Sequence, residues 1–384
     1  MTPRPAHIVG LGLSCALGRG LQPSLKALRA GQRRTRTLEL RGYSEPVRMP
    51  YYAMAGEPDD LFAIERFLAL IPEAAAEALA QAGLAPDALK RCGIFVGSTA
   101  FGVSRAEGEY LEVLGRDPTA AFALPRVGFQ EISERLRTAC GVGGPDFTFN
   151  TACTASANAL LAAQRLISLG ALDHALVLGL ELANRTTLTG FSGLLLVAAE
   201  LMPFDAQRSG IVLGEGLGAA VLSSSPGSLG LRLAGGASNS DTFSVTTANP
   251  DGSSIAALQR TVLRLCGLQA GQVRAIKAHG TASPLNDAGE AAGLRQAFDP
   301  LPPVLALKPY LGHTLGACGI IELALLAGAL EQGWMPATAG FSQADPALGL
   351  TPLLQEAPAP DGAYLLNYFG FGGSNTALVL EKAS

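Results

Sequence analysis

The sequence predicts an α/β protein built from two duplicated halves. Short runs typical of buried strands alternate with stretches of helical periodicity, which is the pattern of parallel sheets joined by right-handed crossovers. Three segments of the first half recur in the second half in the same order. A stretch rich in Ser, Pro and Gly around 223–230 separates them, so we place the halves at residues 1–225 and 226–384.

The first half alternates strand and helix patterns along its length. Apolar spacing and flanking glycines distinguish the two kinds of segment. Pro72 interrupts one helical pattern and either kinks that helix or starts a second one. Residues 191–200 are apolar and are expected to line an internal space. Predicted strands lie at 7–13, 93–97, 147–149 and 175–180, with another near 217–223, and predicted helices lie at 22–30, 61–83, 104–115 and 128–139.

The duplication rests on three pairs of segments. VGSTA at 96–100 resembles HGTA at 279–282, and each follows a predicted buried strand. The other two pairs are longer, and all three keep the same order along the chain, so together they indicate a repeated unit. They are TACTASANALLAA at 151–163 with GACGIIELALLAG at 316–328, and LGAAVLS at 217–223 with NTALVLE at 375–381.

Residues 147–170 contain the candidate nucleophile. A short β-rich run meets a turn of small residues, and a helical pattern then continues to Gly170, a residue typical of a helix C-terminus. Cys153 falls at the strand-to-helix junction, where unpaired amides and the helix dipole favour a thiolate and a neighbouring N–H can stabilise an oxyanion. The alternative is a small buried thiol without a chemical role.

Three glycine-rich turns in the second half contain further candidates. KAHGTASPLND at 277–287 carries His279, and KPYLGHTLGACG at 308–319 carries His313. NYFGFGGSN at 367–375 lies near the C-terminus. Open α/β sheets place ligands at turns that follow strands, and glycines let backbone amides approach a ligand closely.

One reactive cysteine and two histidines fit acyl-transfer chemistry. The thiolate would attack a thioester while N–H donors hold the tetrahedral oxyanion. Two imidazoles could then donate hydrogen bonds to a second carbonyl as it becomes an enolate, which the decarboxylation of a malonyl group requires. Lys308 would add positive potential, and Glu322 could hold or neutralise it.

Other interpretations of these residues remain open. A histidine in a glycine-rich turn can be a structural hydrogen bonder, Lys308 a surface cation and Glu322 an ordinary helix residue. Asp287 and Glu290 could be a pair of acids at a helix start. Two ligand sites are weak alternatives: a zinc site formed by Cys153, His279 and His313 lacks compact spacing, and a dinucleotide loop at Gly10 and Gly12 has Cys15 in place of its third glycine.

The composition excludes several classes of protein. A net charge of −4 gives no global basic field, so we expect no nucleic-acid partner. No run approaches the ~18 uncharged apolar residues of a membrane span, and the N-terminus lacks a sustained apolar signal region. The six cysteines form no CxxC pair, so we expect reduced thiols and a cytoplasmic location.

The chain resembles the β-ketoacyl-acyl-carrier-protein synthases of the elongating, two-histidine type, which belong to the thiolase-like superfamily. The resemblance spans nearly the whole chain and implies a thiolase-like five-layered αβαβα fold from two duplicated halves, usually as a dimer. Residues 30–60 and 98–145 match poorly, and Thr154 and Tyr368 are less usual neighbours of otherwise standard motifs. The motifs that carry the resemblance are NTACTAS around Cys153, PFDAQRSGIVLGEG at 203–216, HGTASPLND, KPYLGHTLGACG and NYFGFGGSN.

The resemblance also implies roles for individual residues. Cys153 would accept the acyl group, and His279 and His313 would support decarboxylation and condensation. Lys308 would tune the site, with Glu322 as its neighbouring structural acid. The remaining implied roles are an oxyanion hole from the amides of Cys153 and Phe371, a gate at Phe371, and pantetheine or substrate contacts from Thr281, Ser283, Phe191 and Phe369.

The implied function is the decarboxylative condensation of a cysteine-bound acyl chain with malonyl-acyl-carrier protein, in fatty-acid or specialised polyketide or aryl-polyene synthesis. No cofactor or metal is implied beyond the phosphopantetheine of the carrier. The partners would be acyl carrier protein and a second subunit, in a homodimer or in a heterodimer with a chain-length-factor-like homologue. Arg66, Arg105 and Arg126 are available to dock the acidic carrier.

Two alternatives to this function remain. A non-decarboxylating thiolase would act on acyl-CoA and usually needs a second active-site cysteine, for which Cys318 is placed in a suitable turn. A pocket-shaping, chain-length-factor-like subunit would usually lack the nucleophile. The lysine-led motif around His313 favours the synthase over the thiolase.

Overall fold

The strands and helices of a computed structural model of the chain follow the predicted alternation closely. The structure describes residues 3–40, 45–56, 61–121 and 128–383, but not the side chains of Ile64, Phe67 and Arg105. The strands are β1 (His7–Cys15), β2 (Gly18–Arg19), β3 (Arg36–Leu40), β4 (Val47–Tyr52), β5 (Gly93–Gly97), β6 (Asp146–Phe149), β7 (His174–Glu181), β8 (Leu213–Gly214), β9 (Gly216–Ser223), β10 (Leu231–Ser240), β11 (Val273–Lys277), β12 (Val304–Leu305), β13 (Trp334–Met335), β14 (Ala357–Pro358), β15 (Gly362–Gly370) and β16 (Ser374–Lys382). The helices are α1 (Leu21–Arg29), α2 (Ile64–Ala82), α3 (Pro86–Leu89), α4 (Phe101–Arg116), α5 (Gln130–Cys140), α6 (Ala155–Ser168), α7 (Arg185–Gly193), α8 (Ser253–Leu265), α9 (Pro284–Ala297), α10 (Lys308–Leu311) and α11 (Cys318–Glu331).

Two five-stranded sheets, joined by a short antiparallel pairing of β1 with β10, repeat the same topology. The first has the order β6-β5-β7-β9-β1 and the second the order β12-β11-β15-β16-β10. In the first sheet, β5 is parallel to β6 and β7, whereas β9 is antiparallel to β7 and β1. In the second sheet, β11 is parallel to β12 and β15, whereas β16 is antiparallel to β15 and β10. The equivalent order and direction of these strands establish the duplicated halves.

Five layers stack in the order αβαβα. Helices α2 and α5 cover the outer face of the first sheet, α8 covers the outer face of the second, and α9 packs against α8 and shares its apolar cluster with that sheet. Helices α6 and α11 pack against each other between the sheets and contact strands of both. Apart from Glu322, the buried residues of α11 from Cys318 to Leu330 carry no charged side chain, as expected of a central helix. The fold class predicted from the sequence is therefore confirmed.

The glycines of β1 serve packing between a strand and a helix. A Cβ on Gly10 would lie 1.9 Å from the carbonyl oxygen of Ala78, and one on Gly12 would lie 2.0 Å from that of Ala74. Both carbonyls belong to α2, which approaches this strand closely. This close approach accounts for the two glycines without a nucleotide.

Two local expectations need refinement. Pro72 lies inside one helix, α2, so no second helix starts there. The expectation that residues 191–200 line an internal space is wrong for Leu194 and Leu195, which are 55% and 87% exposed. Leu195 has φ 57°, so the chain leaves α7 in a tight turn that points these side chains outward.

Candidate active site

Turns from both halves meet at one edge of the second sheet. β12, β11 and β15 are neighbouring parallel strands, so the turns after their carboxyl ends lie side by side. His279 follows β11, His313 follows the short helix after β12, and Phe371 follows β15. Cys153 arrives from the first half, just before α6, because that helix packs between the two sheets.

A single cleft joins most of the residues singled out in the sequence. Cys153, His279 and His313 line it, and so do Thr281, Phe369 and Phe371. Lys308 and Glu322 lie behind His279 in the protein interior, where both are buried. Ser283 precedes α9 and does not line the cleft. Further lining residues, which the sequence analysis missed, are Ile211, Asp241, Thr246, Thr247, Ala248, Asn286, Gly370, Gly373 and Asn375.

Cys153 sits in a strained elbow between β6 and α6. Ala152, immediately before it, has φ 50°, a conformation that residues with a Cβ rarely adopt. The Cys318 thiol donates a hydrogen bond to the Cys153 carbonyl over 3.0 Å, which helps to hold the elbow. Cys153 itself is 5% exposed, and it borders an apolar cluster that includes Leu188 and Leu213.

The groups expected to favour a thiolate at Cys153 are present, but burial outweighs them. Burial raises the pKa of Cys153 to about 11, and this outweighs the lowering effects of the Lys308 ammonium and of the amide of Phe371. The sequence reveals the helix N-terminus but not the depth of burial, so only the favourable contribution was visible there. At neutral pH the sulfur keeps its proton and needs a base when it reacts.

This protonation state can be tested by alkylation. We expect the rate at which iodoacetamide modifies Cys153 to rise about tenfold per pH unit from about pH 7 to about pH 9, because the thiolate fraction grows in that proportion below the pKa. Mass spectrometry of the Cys153 peptide measures this rate. Lys308→Met should slow alkylation at each pH, because the ammonium that lowers the pKa is lost. A rate that levels off below about pH 8 would show a low-pKa thiolate instead.

Two backbone amides point at the sulfur. The N–H groups of Phe371 and Cys153 both form hydrogen bonds that lower the pKa of the Cys153 thiol. Phe371 opens a tight turn in which Gly372 has φ 77° and Gly373 has φ 74°, and these values favour glycine. The turn therefore places the Phe371 N–H beside the Cys153 N–H, where an oxygen next to the sulfur can accept from both.

The two histidine rings lie edge to face beside the sulfur. Their centroids are 5.3 Å apart, and the rings are inclined by 84°. Lys308 Nζ lies 3.3 Å from His279 Nδ1, and since an ammonium can only donate, the proton of a neutral His279 must be on Nε2. His313 Nδ1 has no hydrogen-bond partner within the described part of the chain. Burial, followed by repulsion from Lys308, holds the pKa of both histidines well below its ordinary value, so both rings are neutral.

Buried carboxylates hold the turn that carries His279. Glu290 accepts hydrogen bonds from the backbone N–H groups of His279 and Gly280 at 2.8 and 2.9 Å. Asp287 accepts from the amides of Thr281, Ala282 and Phe204 at 3.0, 3.2 and 2.8 Å. These acids lie on α9, but they satisfy the amides of the preceding turns. The interpretation as a simple helix-start pair is therefore incomplete.

Aromatic rings surround the mouth of the site. The Phe191 ring stacks on Phe371 with centroids 5.4 Å apart and an interplanar angle of 18°. Phe369 lies 5.7 Å from His279, centroid to centroid. The structure thus brings Phe191 to the same turn as Phe371 from the other half of the chain.

The three arginines considered for carrier docking have different outcomes. Arg66 forms an ion pair with Glu215, its side chain is only 9% exposed, and the nearest N–O distance is 2.5 Å. This expectation is therefore wrong, because a buried and paired guanidinium cannot form a docking patch. Arg126 and the side chain of Arg105 lie outside the described residues.

The described residues form neither a metal site nor a membrane-spanning helix. Within the described ranges, no three His, Cys, Asp or Glu side chains are arranged so that they could hold a metal ion. Likewise, the described helices include none with the length and apolar character needed to cross a bilayer. All six cysteines are free thiols.

Sequence comparison assigns both halves to one family. The beta-ketoacyl synthase N-terminal domain matches residues 4–226, and the C-terminal domain matches residues 231–342. The chain is 25% identical over 416 residues to 3-oxoacyl-[acyl-carrier-protein] synthase 2 of Vibrio cholerae, covering 100% of both chains. It is 26% identical to a mitochondrial 3-oxoacyl-[acyl-carrier-protein] synthase of Arabidopsis thaliana, covering 99% of this chain and 93% of that one.

Solved structures share the whole fold. A ketosynthase in complex with its chain length factor from Xenorhabdus doucetiae is 27% identical, with a TM-score of 0.84 over 99% of this chain and 98% of that one. A type II polyketide ketosynthase in complex with an acyl-carrier protein is 21% identical, with a TM-score of 0.88 over 100% of both chains, and supports the fold alone. With both family domains matched in order, this chain belongs to the beta-ketoacyl synthase family.

Proposed function

We propose that the protein is an acyltransferase that condenses a Cys153-bound acyl chain with malonyl-acyl-carrier protein, releasing CO₂ and giving β-ketoacyl-carrier protein. One observation carries the proposal: Cys153, His279 and His313 line the same cleft, with two amides directed at the sulfur. The relatives named 3-oxoacyl-[acyl-carrier-protein] synthase support it. We retain residues 1–225 as the half carrying the nucleophile and 226–384 as the half carrying both histidines.

The first step loads the acyl group. The Cys153 sulfur attacks the carrier thioester, an S–C bond forms, and the carbonyl oxygen takes the negative charge in the hole formed by the amides of Cys153 and Phe371. His313 is the ring available to accept the thiol proton, because Lys308 already occupies the Nδ1 lone pair of His279. The proton then goes to the departing carrier thiolate, and both rings are neutral again.

The second step makes the new carbon–carbon bond. The malonyl thioester carbonyl accepts hydrogen bonds from His279 Nε2–H and from His313, and loss of CO₂ leaves an enolate at that carbonyl. The enolate carbon attacks the acyl carbonyl on Cys153, whose oxygen again occupies the amide hole. The S–C bond breaks, the β-ketoacyl product stays on its carrier, and the Cys153 thiolate takes up one proton from solvent.

Gly370 allows a test of the amide hole. A Cβ on this residue would lie 3.1 Å from the Cys153 nitrogen, and Gly370 is in extended backbone that alanine can adopt. We expect Gly370→Ala to slow acyl loading about 10- to 100-fold, because the methyl group crowds the place of the oxyanion. Gly190→Ala is the matched control, since a Cβ there meets nothing within 4 Å. Equal loading by both variants would argue against a hole at this position.

The substrates would arrive on the phosphopantetheine of acyl carrier protein. The thioester itself activates the acyl and malonyl carbonyls, so the proposed chemistry needs no separate cofactor or metal. Thr281 lines the cleft and could contact the arm, Ser283 would do so only from the turn behind it, and Phe191, Phe369 and Phe371 would surround the acyl chain. The free thiols fit a reducing cytoplasm. The pathway would be fatty-acid or specialised polyketide or aryl-polyene synthesis.

A second subunit would add to the first sheet. β6 is the edge strand of that sheet, and Phe147 on it is 40% exposed. Val103 and Leu111 on α4 are also exposed apolar residues. These surfaces support pairing with a second copy or with a chain-length-factor-like homologue. Light scattering of the purified chain shows whether it pairs with a second copy of itself. Co-purification from the native host shows whether it pairs with a homologue instead.

The decisive experiment combines mass spectrometry with CO₂ measurement. The protein is incubated with acyl-carrier protein loaded with acyl chains of varied length, and malonyl-carrier protein is then added. We expect the acyl mass on Cys153, followed by CO₂ release and β-ketoacyl product. Absence of the acyl adduct with every chain tested would overturn the proposed function.

Neither alternative activity gains support from the site. Cys318, the candidate second cysteine of a thiolase, is fully buried, donates to a backbone carbonyl and does not line the cleft. Burial raises the pKa of its thiol far above the ordinary range, so the thiol stays protonated and is not available to accept a proton. A pocket-shaping subunit would have no need of the assembled cysteine and histidines.

A further inference from the structure

Lys277 is a second buried lysine beside the site. It is the last residue of β11, and its side chain has no solvent exposure. Its ammonium contacts the Glu322 carboxylate and donates to the Asn367 carbonyl over 2.7 Å. It also lies 3.7 Å from the centre of the Tyr368 ring, so the aromatic face adds a favourable cation–π contact.

Glu322 is shared between two lysines. Its Oε2 contacts Lys277, and its Oε1 accepts from Lys308 over 2.7 Å. Lys308 in turn donates to His279 Nδ1. When all three groups are ionised, two ammonium ions face one carboxylate, and the cluster carries a net positive charge in the protein interior. A buried charge without full compensation is costly, so it needs the additional contacts that Asn367 and Tyr368 supply.

The groups that face His279 come from every element around it. Lys277 stands on β11, Lys308 on α10, Glu290 on α9 and Glu322 on α11, and the His313 ring lies edge to face with it. Cys153 lies across the cleft. Of these groups, the two lysines are the cations that act on both His279 and His313.

We propose that Lys277 is a positioning residue of this site, a second ammonium on Glu322 that keeps the cluster positive, so that both imidazoles stay uncharged and Lys308 stays directed at His279. This inference rests on the proposed function, since it assigns Lys277 to the decarboxylation step. A positive cluster opposes protonation of either ring, and it favours the enolate that forms beside them. With one lysine alone, Glu322 would neutralise the cluster.

The pKa directions agree with this geometry. Burial opposes the charge of Lys308, but Glu322 more than offsets burial, and the pKa of Lys308 is raised. Burial lowers the pKa of Lys277, Glu322 counteracts this in part, and repulsion from Lys308 lowers it further. Lys308 therefore holds its proton more firmly than Lys277 does, and the contacts of Lys277 with Glu322, Asn367 and the Tyr368 ring are what favour its charged form.

The test uses Lys277→Met and Lys277→Gln, with Lys308→Met as a comparison. Both Lys277 variants remove the charge, but only glutamine keeps a hydrogen-bond donor. Lys308→Met gives the cluster the same net charge as the Lys277 variants do, but it also removes the contact with His279. For each protein, CO₂ release from malonyl-carrier protein is measured between about pH 5 and about pH 9, and acyl loading of Cys153 is measured by mass spectrometry.

We expect both Lys277 variants to load acyl groups within about threefold of wild type and to decarboxylate about tenfold more slowly at neutral pH. The acid limb of their pH profile should move to higher pH, because the imidazoles gain protons more easily without the second ammonium. Lys308→Met should shift the limb in the same direction and lose more of the maximal rate. A purely structural role would lower the rate without moving the limb.

The inference would be overturned by pH profiles that superimpose on that of the wild type, by a lower rate with an unmoved acid limb, or by loss of acyl loading in both Lys277 variants. An acid limb at the wild-type pH in Lys277→Gln would also overturn the inference, because a hydrogen-bond donor without charge would then suffice. Failure of the wild-type protein to load Cys153 is a separate result that rejects the proposed function itself.

Discussion

Replacing Cys153 with alanine is expected to abolish covalent acyl loading and to reduce condensation by at least about 10³-fold, because the acyl intermediate cannot form. Alanine fits the buried elbow, and the 5% exposed side chain makes few contacts with solvent, so the fold should persist. Intact-protein mass spectrometry after incubation with acyl-carrier protein measures the loading. CO₂ release from malonyl-carrier protein should continue, since the histidines remain.

Cys318→Ala is the matched control for this substitution. Cys318 is equally buried and neighbours the elbow, but its thiol points to the Cys153 carbonyl. We expect it to keep loading and condensation within about tenfold of wild type, the loss reflecting one hydrogen bond to the elbow. Acyl mass on Cys153→Ala, or loss of condensation confined to Cys318→Ala, would contradict the assigned nucleophile.

Removing either site histidine should separate the two halves of the reaction. We expect His279→Ala and His313→Ala each to lower CO₂ release about 10²- to 10³-fold, because each removes one donor to the developing enolate. His279→Ala should keep acyl loading within about threefold of wild type, as its ring takes no proton from the thiol. His313→Ala should slow loading as well, because it removes the proposed proton acceptor.

His174→Ala provides the control for the histidine variants. This residue begins β7, its ring is partly exposed, and it does not line the cleft. Its substitution should leave both loading and CO₂ release near wild type. If His279→Ala released CO₂ as fast as His174→Ala does, the ring pair would have no part in decarboxylation.

Sequence patterns predicted the fold and most of the groups that meet in the cleft. The paired segments at 96–100 and 279–282 lie at the carboxyl ends of β5 and β11, which hold equivalent places in the two sheets. Cys153 could be singled out because a strand-to-helix elbow leaves a local pattern of small residues. His279 and His313 could be singled out because glycine-rich turns after strands mark ligand sites.

The supporting groups could not be found in this way. Arg66 looked like a surface cation, since nothing near it in the sequence shows that Glu215 is its partner. Lys277 stood inside a quoted motif, but its contacts lie on α11 and β15, which are distant along the chain. Such pairings between distant residues leave no local pattern, so the amino-acid sequence alone does not reveal them.

By itself, the sequence determined the alternation of strands and helices, the duplication and the residue types available for acyl transfer, because these depend on local periodicity and turn chemistry. Only the tertiary structure decided that Cys153 keeps its proton, that both rings are neutral and that two lysines share Glu322. The physical reason is that charge states depend on burial and on neighbours across the fold. Those neighbours are fixed only when the two sheets close around α6 and α11.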